Sequence, residues 1–166
     1  MIIVYIITFY FFIAFGVSRL IIPHLGFKDV PILEALPDSM TKVIADLKNK
    51  SHSKGDFLKL AYEYIGNKYR SERFNTILKF HYLFKPINEI WQMQGYAPCT
   101  QSNYLLKLFL IKSGYFKEEE IKRKHIFVNF VPHQYLMVSL EGKWIAVDVG
   151  EKQRGMKIGE HLKYFG

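Results

Sequence analysis

Three side chains in this chain have the types that acyl chemistry needs: its single cysteine, Cys99, a histidine, His133, and a carboxylate set in an apolar run, Asp148 of Ile145-Ala-Val-Asp148-Val149. The thiolate is the nucleophile in such chemistry, and a helix N-terminus favours it. An imidazole beside it takes the thiol proton and later returns it to a leaving group. A carboxylate on the far side of the imidazole fixes its tautomer and supports its charged form. Singly, each residue also has a structural reading. Cys99 would pack the start of a helix, His133 would end a strand after Pro132, and Asp148 would cap a turn or pair with a lysine. The argument that joins them is electrostatic: a charge in the middle of an apolar strand needs a partner once it is buried. One cysteine allows no disulfide within the chain and no Cys-x-x-Cys metal site. A metal held by these three scattered residues is a weaker reading.

The elements around them must bring the three together. Gly95 and Pro98 mark a turn, and Leu105, Leu106, Phe109 and Leu110 recur at helical spacing up to Gly114, so Cys99 falls at or next to a helix N-terminus. Strands are expected at about 126–131, 133–140 and 143–149. With Glu141-Gly142 as a two-residue turn, Leu140 faces Lys143, Ser139 faces Trp144 and Tyr135 faces Asp148. Alternation then gives a core face of Gln134, Leu136, Val138 and Leu140 with Ile145, Val147 and Val149. The opposite face holds His133, Tyr135, Met137, Trp144 and Asp148. His133 and Asp148 become diagonal neighbours, roughly 7–8 Å apart by Cα. Tyr135 and Trp144 on the same face are candidates to line a substrate cleft. The oxyanion donor is expected to be the Cys99 amide, with Gln94, Gln92 or the Trp91 indole N–H as side-chain candidates.

Upstream, helices are expected over 39–48, capped by Asp38 or Ser39, and from Asp56 to about Gly66. Residues 49–55 read as a loop, and 70–90 are mixed aromatic and basic. Glu118 to Lys124 suggests a short charged helix. Met1 to Ser18 carries no charge, and eighteen helical residues span roughly 27 Å, close to a hydrocarbon core of ~30 Å. Arg19 can snorkel, which extends the span to Ile22. The expected organisation is a transmembrane anchor over 1–22, a proline-marked linker over 23–37 and a folded domain over 38–166. Positive residues follow the span, which places the domain in the cytoplasm. The net charge of +8 suits anionic lipid beside such an anchor. No zinc-finger spacing or RNA-binding aromatic motif is present, so nucleic acid is not an expected partner.

Residues 55–150 resemble the transglutaminase-like superfamily, within the papain-like cysteine enzymes. Gly95-Tyr-Ala-Pro-Cys99 before a helix resembles the nucleophile turn. His133-Gln-Tyr-Leu-Met-Val resembles the histidine strand. Gly142-Lys-Trp144-Ile-Ala-Val-Asp148 resembles the strand that ends in the triad carboxylate. The resemblance implies an α+β fold with helices packed on an antiparallel sheet. It also implies a thioester on Cys99, cleavage or transfer at a peptide or amide bond, and no cofactor. Thr100, Gln134 and Val149 stand where many members carry other residues, which bears on substrate class. The alternative these departures suggest is a catalytically inactive binding module at the membrane surface.

Overall fold

The computed structural model describes residues 2–17, 20, 32–72, 78–128 and 131–162. It is an α+β chain whose helices pack on an antiparallel sheet. Helix α1 (Ile2–Phe11) and a π-helical turn over Phe12–Val17 form the N-terminal segment. Then come α2 (Asp38–Lys50), α3 (Lys54–Lys68), β1 (Tyr69–Arg70), a 3₁₀ segment over Phe80–Phe84, α4 (Ile87–Gln92) and β2 (Gly95–Tyr96). Helix α5 (Cys99–Lys112) leads through a 3₁₀ turn at Glu118–Glu120 into β3 (Ile121–Val128), β4 (Val131–Leu140) and β5 (Lys143–Val147). A last 3₁₀ segment, Val149–Arg154, follows.

The β4–β5 hairpin has the register read from the sequence: Leu140 pairs with Lys143, Ser139 with Trp144 and Leu136 with Val147. Glu141 and Gly142 both take left-handed backbone angles, φ 53° and 78°. That pair of angles makes the tight turn whose twist matches the strands. The core face is buried as the alternation requires, with Gln134, Leu136, Val138 and Val147 all at 0% exposure.

The charged helix expected over 118–124 is a correction. Helical structure stops at Glu120, and Lys122, Arg123 and Lys124 lie in β3, paired with Met137, Leu136 and Tyr135. Among the described residues β3 is an edge strand, where lysines are well tolerated.

Helix α3 starts earlier and ends later than its sequence suggests. Ser53 is the cap, accepting from the Asp56 amide at 3.1 Å, so Asp56 sits in the first turn instead. Gly66 does not stop the helix, which continues to Lys68. The glycine lets α3 approach the Val149–Arg154 segment, because a Cβ there would come within 2.2 Å of Lys152 Cδ and 2.9 Å of its Cβ. In the stretch left unassigned over 70–90, Pro86 is the cap of α4.

Helix α5 is the centre of the molecule. Every residue from Thr100 to Leu110 is buried, because α3 packs on it from one side and β4 from another. A helix covered all round has no polar face to show, and three of its polar side chains are tied internally. Asn103 Nδ2 donates to Gln134 O at 2.6 Å, Gln101 Nε2 to Tyr82 O at 2.5 Å, and Lys107 Nζ to Glu118 at 2.8 Å.

At the N-terminus, Ile2, Ile3, Val4, Tyr5, Ile6 and Phe9 are each over 60% exposed. The described residues do not show the single span expected over 1–22. Helix α1 gives way after ten residues to the π-helical turn over Phe12–Val17. Among the described residues no helix is long and apolar enough to cross a membrane. Residues 18, 19, 21 and 22 lie outside the described set, as does 23–31 of the expected linker. Of the rest of that linker, Glu34 O accepts from Lys112 Nζ at 3.0 Å, so this part is strapped to the end of α5.

Replacing Gly66 by alanine would favour an open helix by up to ~1 kcal/mol. Here the contact with Lys152 reverses the sign. Gly66→Ala is expected to destabilise the fold by about 1–3 kcal/mol, read as a lower urea midpoint at an unchanged slope.

Candidate active site

Cys99 is the first residue of α5, with Pro98 as the preceding cap position. Its approach is fixed by short-range pairing. Strands β1 and β2 run parallel, Tyr69 against Gly95 and Arg70 against Tyr96, and the Ala97 amide donates to Arg70 O at 3.3 Å. The Ser71 hydroxyl donates to Ala97 O at 2.9 Å. Gly95 takes φ +87°, a left-handed angle that glycine adopts without strain. Cys99 is partly exposed although the helix behind it is buried. In the first turn the Gln101 and Ser102 amides donate to Pro98 O, both at 3.0 Å, while the Cys99 and Thr100 amides precede any intrahelical acceptor and lie at the positive end of the helix dipole. The Cys99 amide is among them and suits an oxyanion donor.

His133 and Asp148 meet. The imidazole Nε2 lies 2.7 Å from Asp148 Oδ2, with His133 5% exposed and Asp148 fully buried. Cys99 lies close enough to act on the imidazole, being among the causes that raise the His133 pKa, and with Nε2 held by Asp148 it is Nδ1 that is left to meet the thiol. The hairpin register runs as far as the Leu136–Val147 pair, after which Asp148 leaves β5. Asp148 follows the last residue of β5, and the Glu151 amide donates to its carbonyl at 3.3 Å, holding the turn. Burial alone would push the His133 pKa down. The hydrogen bonds to Asp148 and Cys99, with their charges, outweigh it and raise the value from 6.5 to about 10.

The remaining expected residues are distributed differently. Trp91 is not an oxyanion donor. Its Nε1 donates to Ser39 Oγ at 2.9 Å, and its ring packs against Tyr64 and Phe109 under Lys68, whose Nζ sits 3.6 Å from the ring centre. Gln92 ends α4 and Gln94 precedes Gly95, both exposed. Tyr135 does not line an open cleft: it is 8% exposed, with the His161 ring stacked on it at 4.4 Å. Trp144 lies near the hairpin tip, four residues or roughly 13 Å of extended chain from Asp148. It is 42% exposed, with Lys122 Nζ 4.3 Å from its ring centre.

Two residues of the site carry no motif in the sequence. Gly150 presses on Cys99: a Cβ there would lie 2.8 Å from Ser71 Oγ and 3.3 Å from Cys99 Cβ. Ser71 closes the same corner, its amide donating to Gly150 O at 3.3 Å. The glycine after an Asp-Val pair was the one readable sign. Two hollows lined by described residues lie elsewhere, each of about 430 Å³. One is between α3 and residues 152–158, the other between residues 33–37 and 86–88, and Cys99 lines neither. Among the described residues no group of three His, Cys, Asp or Glu side chains is arranged to hold a metal ion. No protein-family model matches the chain, and neither a curated protein nor a solved structure matches it.

A raised folded-state pKa means that the folded protein holds the His133 proton more tightly than the unfolded chain. The resulting stabilisation is complete below pH 6.5 and is lost as pH climbs towards about 10. NMR titration of the His133 ring should therefore give a midpoint far above 6.5, and Asp148→Asn should bring it down and flatten the alkaline loss of stability. A second expectation concerns Gly150. Gly150→Ala should displace Cys99 from the imidazole, slowing its alkylation by iodoacetamide about tenfold at neutral pH with the circular dichroism spectrum unchanged.

Proposed function

We propose that this chain is a membrane-tethered cysteine enzyme of the transglutaminase-like type, acting on a peptide or amide bond through a thioester on Cys99. The observation that carries the reading is the imidazole of His133, bonded to the Asp148 carboxylate at 2.7 Å by one nitrogen, with Cys99 among the groups that act on it. In the proposed cycle the thiol proton already rests on His133, as the imidazolium that Asp148 supports and the raised His133 pKa favours. The Cys99 sulfur attacks the substrate carbonyl, and the negative oxygen is met by the Cys99 amide at the start of α5. The C–N bond breaks as the imidazolium protonates the departing amine, leaving a Cys99 thioester. Water, or a second amine or hydroxyl, then attacks the thioester with His133 as base, giving hydrolysis or transfer and restoring the thiol. Supporting this cycle are the partial exposure of Cys99 and the complete burial of Asp148, since the nucleophile must meet substrate and the orienting group need not.

The membrane part of the proposal concerns residues 1–22. Its support is an uncharged run from Met1 to Ser18 and a helix α1 exposed on the described side chains around it, which a soluble surface helix would not be. The charge of +8 is compatible with anionic headgroups nearby. The substrate expected is a peptide or protein, with the folded domain on the cytoplasmic side.

Mixing the protein with p-nitrophenyl acetate tests the chemistry. The expected result is a burst of nitrophenolate with one acetyl group on Cys99, located by mass spectrometry and released by hydroxylamine. His133→Ala and Asp148→Asn should each slow acylation by about 10²–10⁴-fold, and Cys99→Ala should abolish it. Acylation at Cys99 that ignores both substitutions would leave the protein as a binding module instead.

A further inference from the structure

We propose that residues 156–162 form a strap belonging to the catalytic centre, which keeps water from the Asp148 carboxylate and aims its Oδ2 at His133, with His161 and Leu162 as positioning residues. This rests on the triad reading above. The segment follows the Val149–Arg154 turn and is pinned at four places. At its start Tyr62 of α3 donates its hydroxyl to Met156 O at 2.5 Å. The Gly159 amide then donates to Ala146 O of β5 at 2.8 Å, where the glycine takes φ +96° to make the bend. Next, the His161 ring lies flat on Tyr135 of β4, with centroids 4.4 Å apart and planes 11° from parallel. Finally, the Leu162 amide reaches Asp148 Oδ2 at 3.4 Å, on the same oxygen that His133 holds. The strap is braced internally, since Glu160 Oε2 accepts from the Lys157 amide and the Glu160 amide donates back to Lys157 O, both at 3.0 Å.

These contacts converge on one place. Tyr135 precedes Leu136, whose partner Val147 precedes Asp148, so the ring under His161 sits one position along β4 from the last pair of the hairpin. Asp148 is fully buried, and its Oδ1 has no hydrogen-bond partner among the described residues. A buried carboxylate held through one oxygen is free to rotate unless something else orients it, and water admitted there would both hydrate it and screen its pull on the imidazole. The Leu162 amide orients the carboxylate and the His161–Tyr135 stack closes over it. Tyr62 carries the same signature: burial first, then the Asp148 charge, raises its pKa. The titratable groups that interact with the pair among the described residues are Cys99, which acts on His133, and Tyr62, on which Asp148 acts.

The test uses the full chain with three substitutions. His161→Ala removes the stack, His161→Phe keeps it, and Leu162→Pro removes the amide donor. Two quantities are read: the pH midpoint of the His133 ring by NMR, and the rate of Cys99 alkylation by iodoacetamide. His161→Ala and Leu162→Pro are expected to lower the midpoint by at least about one pH unit and the rate by about tenfold. Both quantities should also become sensitive to added salt, since the pair would no longer be dry. His161→Phe should restore wild-type values, which a loss of bulk stability would not produce. Both disruptive variants staying within about twofold of wild type in rate, with the midpoint unmoved, would overturn the strap's role. In the wild type, a Cys99 rate that His133→Ala does not change would remove the triad reading itself, an outcome visible before any strap variant is made.

Discussion

The arrangement turns on one buried contact, the bond between His133 Nε2 and Asp148 Oδ2. A carboxylate at 0% exposure loses its hydration, and that loss is repaid only by a close, well-oriented partner. Removing one member of such a pair typically costs 3–5 kcal/mol, whereas replacing both by apolar groups is often neutral or stabilising. Stability therefore gives no reason to keep the pair. The surrounding elements nevertheless serve it: the hairpin sets its parity, the turn after β5 fixes the acid's backbone, and the Leu162 amide adds a second donor. What the pair provides is a charged imidazole aimed at a thiol, and the proposed chemistry is the use for it.

The thiol's side of the contact depends on α5. A nucleophile is useful only if its carrier is rigid, and this helix is buried from Thr100 to Leu110 and anchored by polar side chains that reach three other segments. Asn103 ties it to β4 one residue from His133, by donating to the Gln134 carbonyl. Thus one hydrogen bond fixes the helix that carries sulfur relative to the strand that carries imidazole. Gly150 completes the corner from the acid's side, leaving no room for a side chain against Cys99.

The parts legible in the sequence are those fixed by local chemistry. Glu141-Gly142 sets the hairpin turn, and strict alternation sets its faces, so the meeting of His133 and Asp148 followed from parity. The start of α5 was marked by Gly95 and Pro98. What escaped was decided by tertiary neighbours. Lys122-Arg-Lys124 reads as a helix surface, yet it is a strand because Ile121 finds Val138 and the lysines can face water at an edge. Trp91 offers a donor on paper, but Ser39, fifty-two positions earlier, accepts it. Gly66 looks like a helix stop until Lys152 is known to lie on it. Residues 156–162 contain no periodic signal at all, and their place is visible only through contacts with Tyr62, Ala146, Tyr135 and Asp148.

Solvent exposure falls steadily along the three residues, and the order is that of the proposed roles. Cys99 is partly exposed, His133 is 5% exposed and Asp148 is fully buried. A proton shuttled between substrate and imidazole moves at the wetter end, where reactants must enter. The carboxylate does its work by Coulomb attraction, which strengthens as the local dielectric falls. Burying it therefore raises the very quantity it contributes, provided the imidazole stays near enough to share the charge. That proviso explains why the His133 value rises to about 10 although burial by itself would lower it. It also explains why exposing the acid end would loosen the thiol end, some distance away, without either residue being touched.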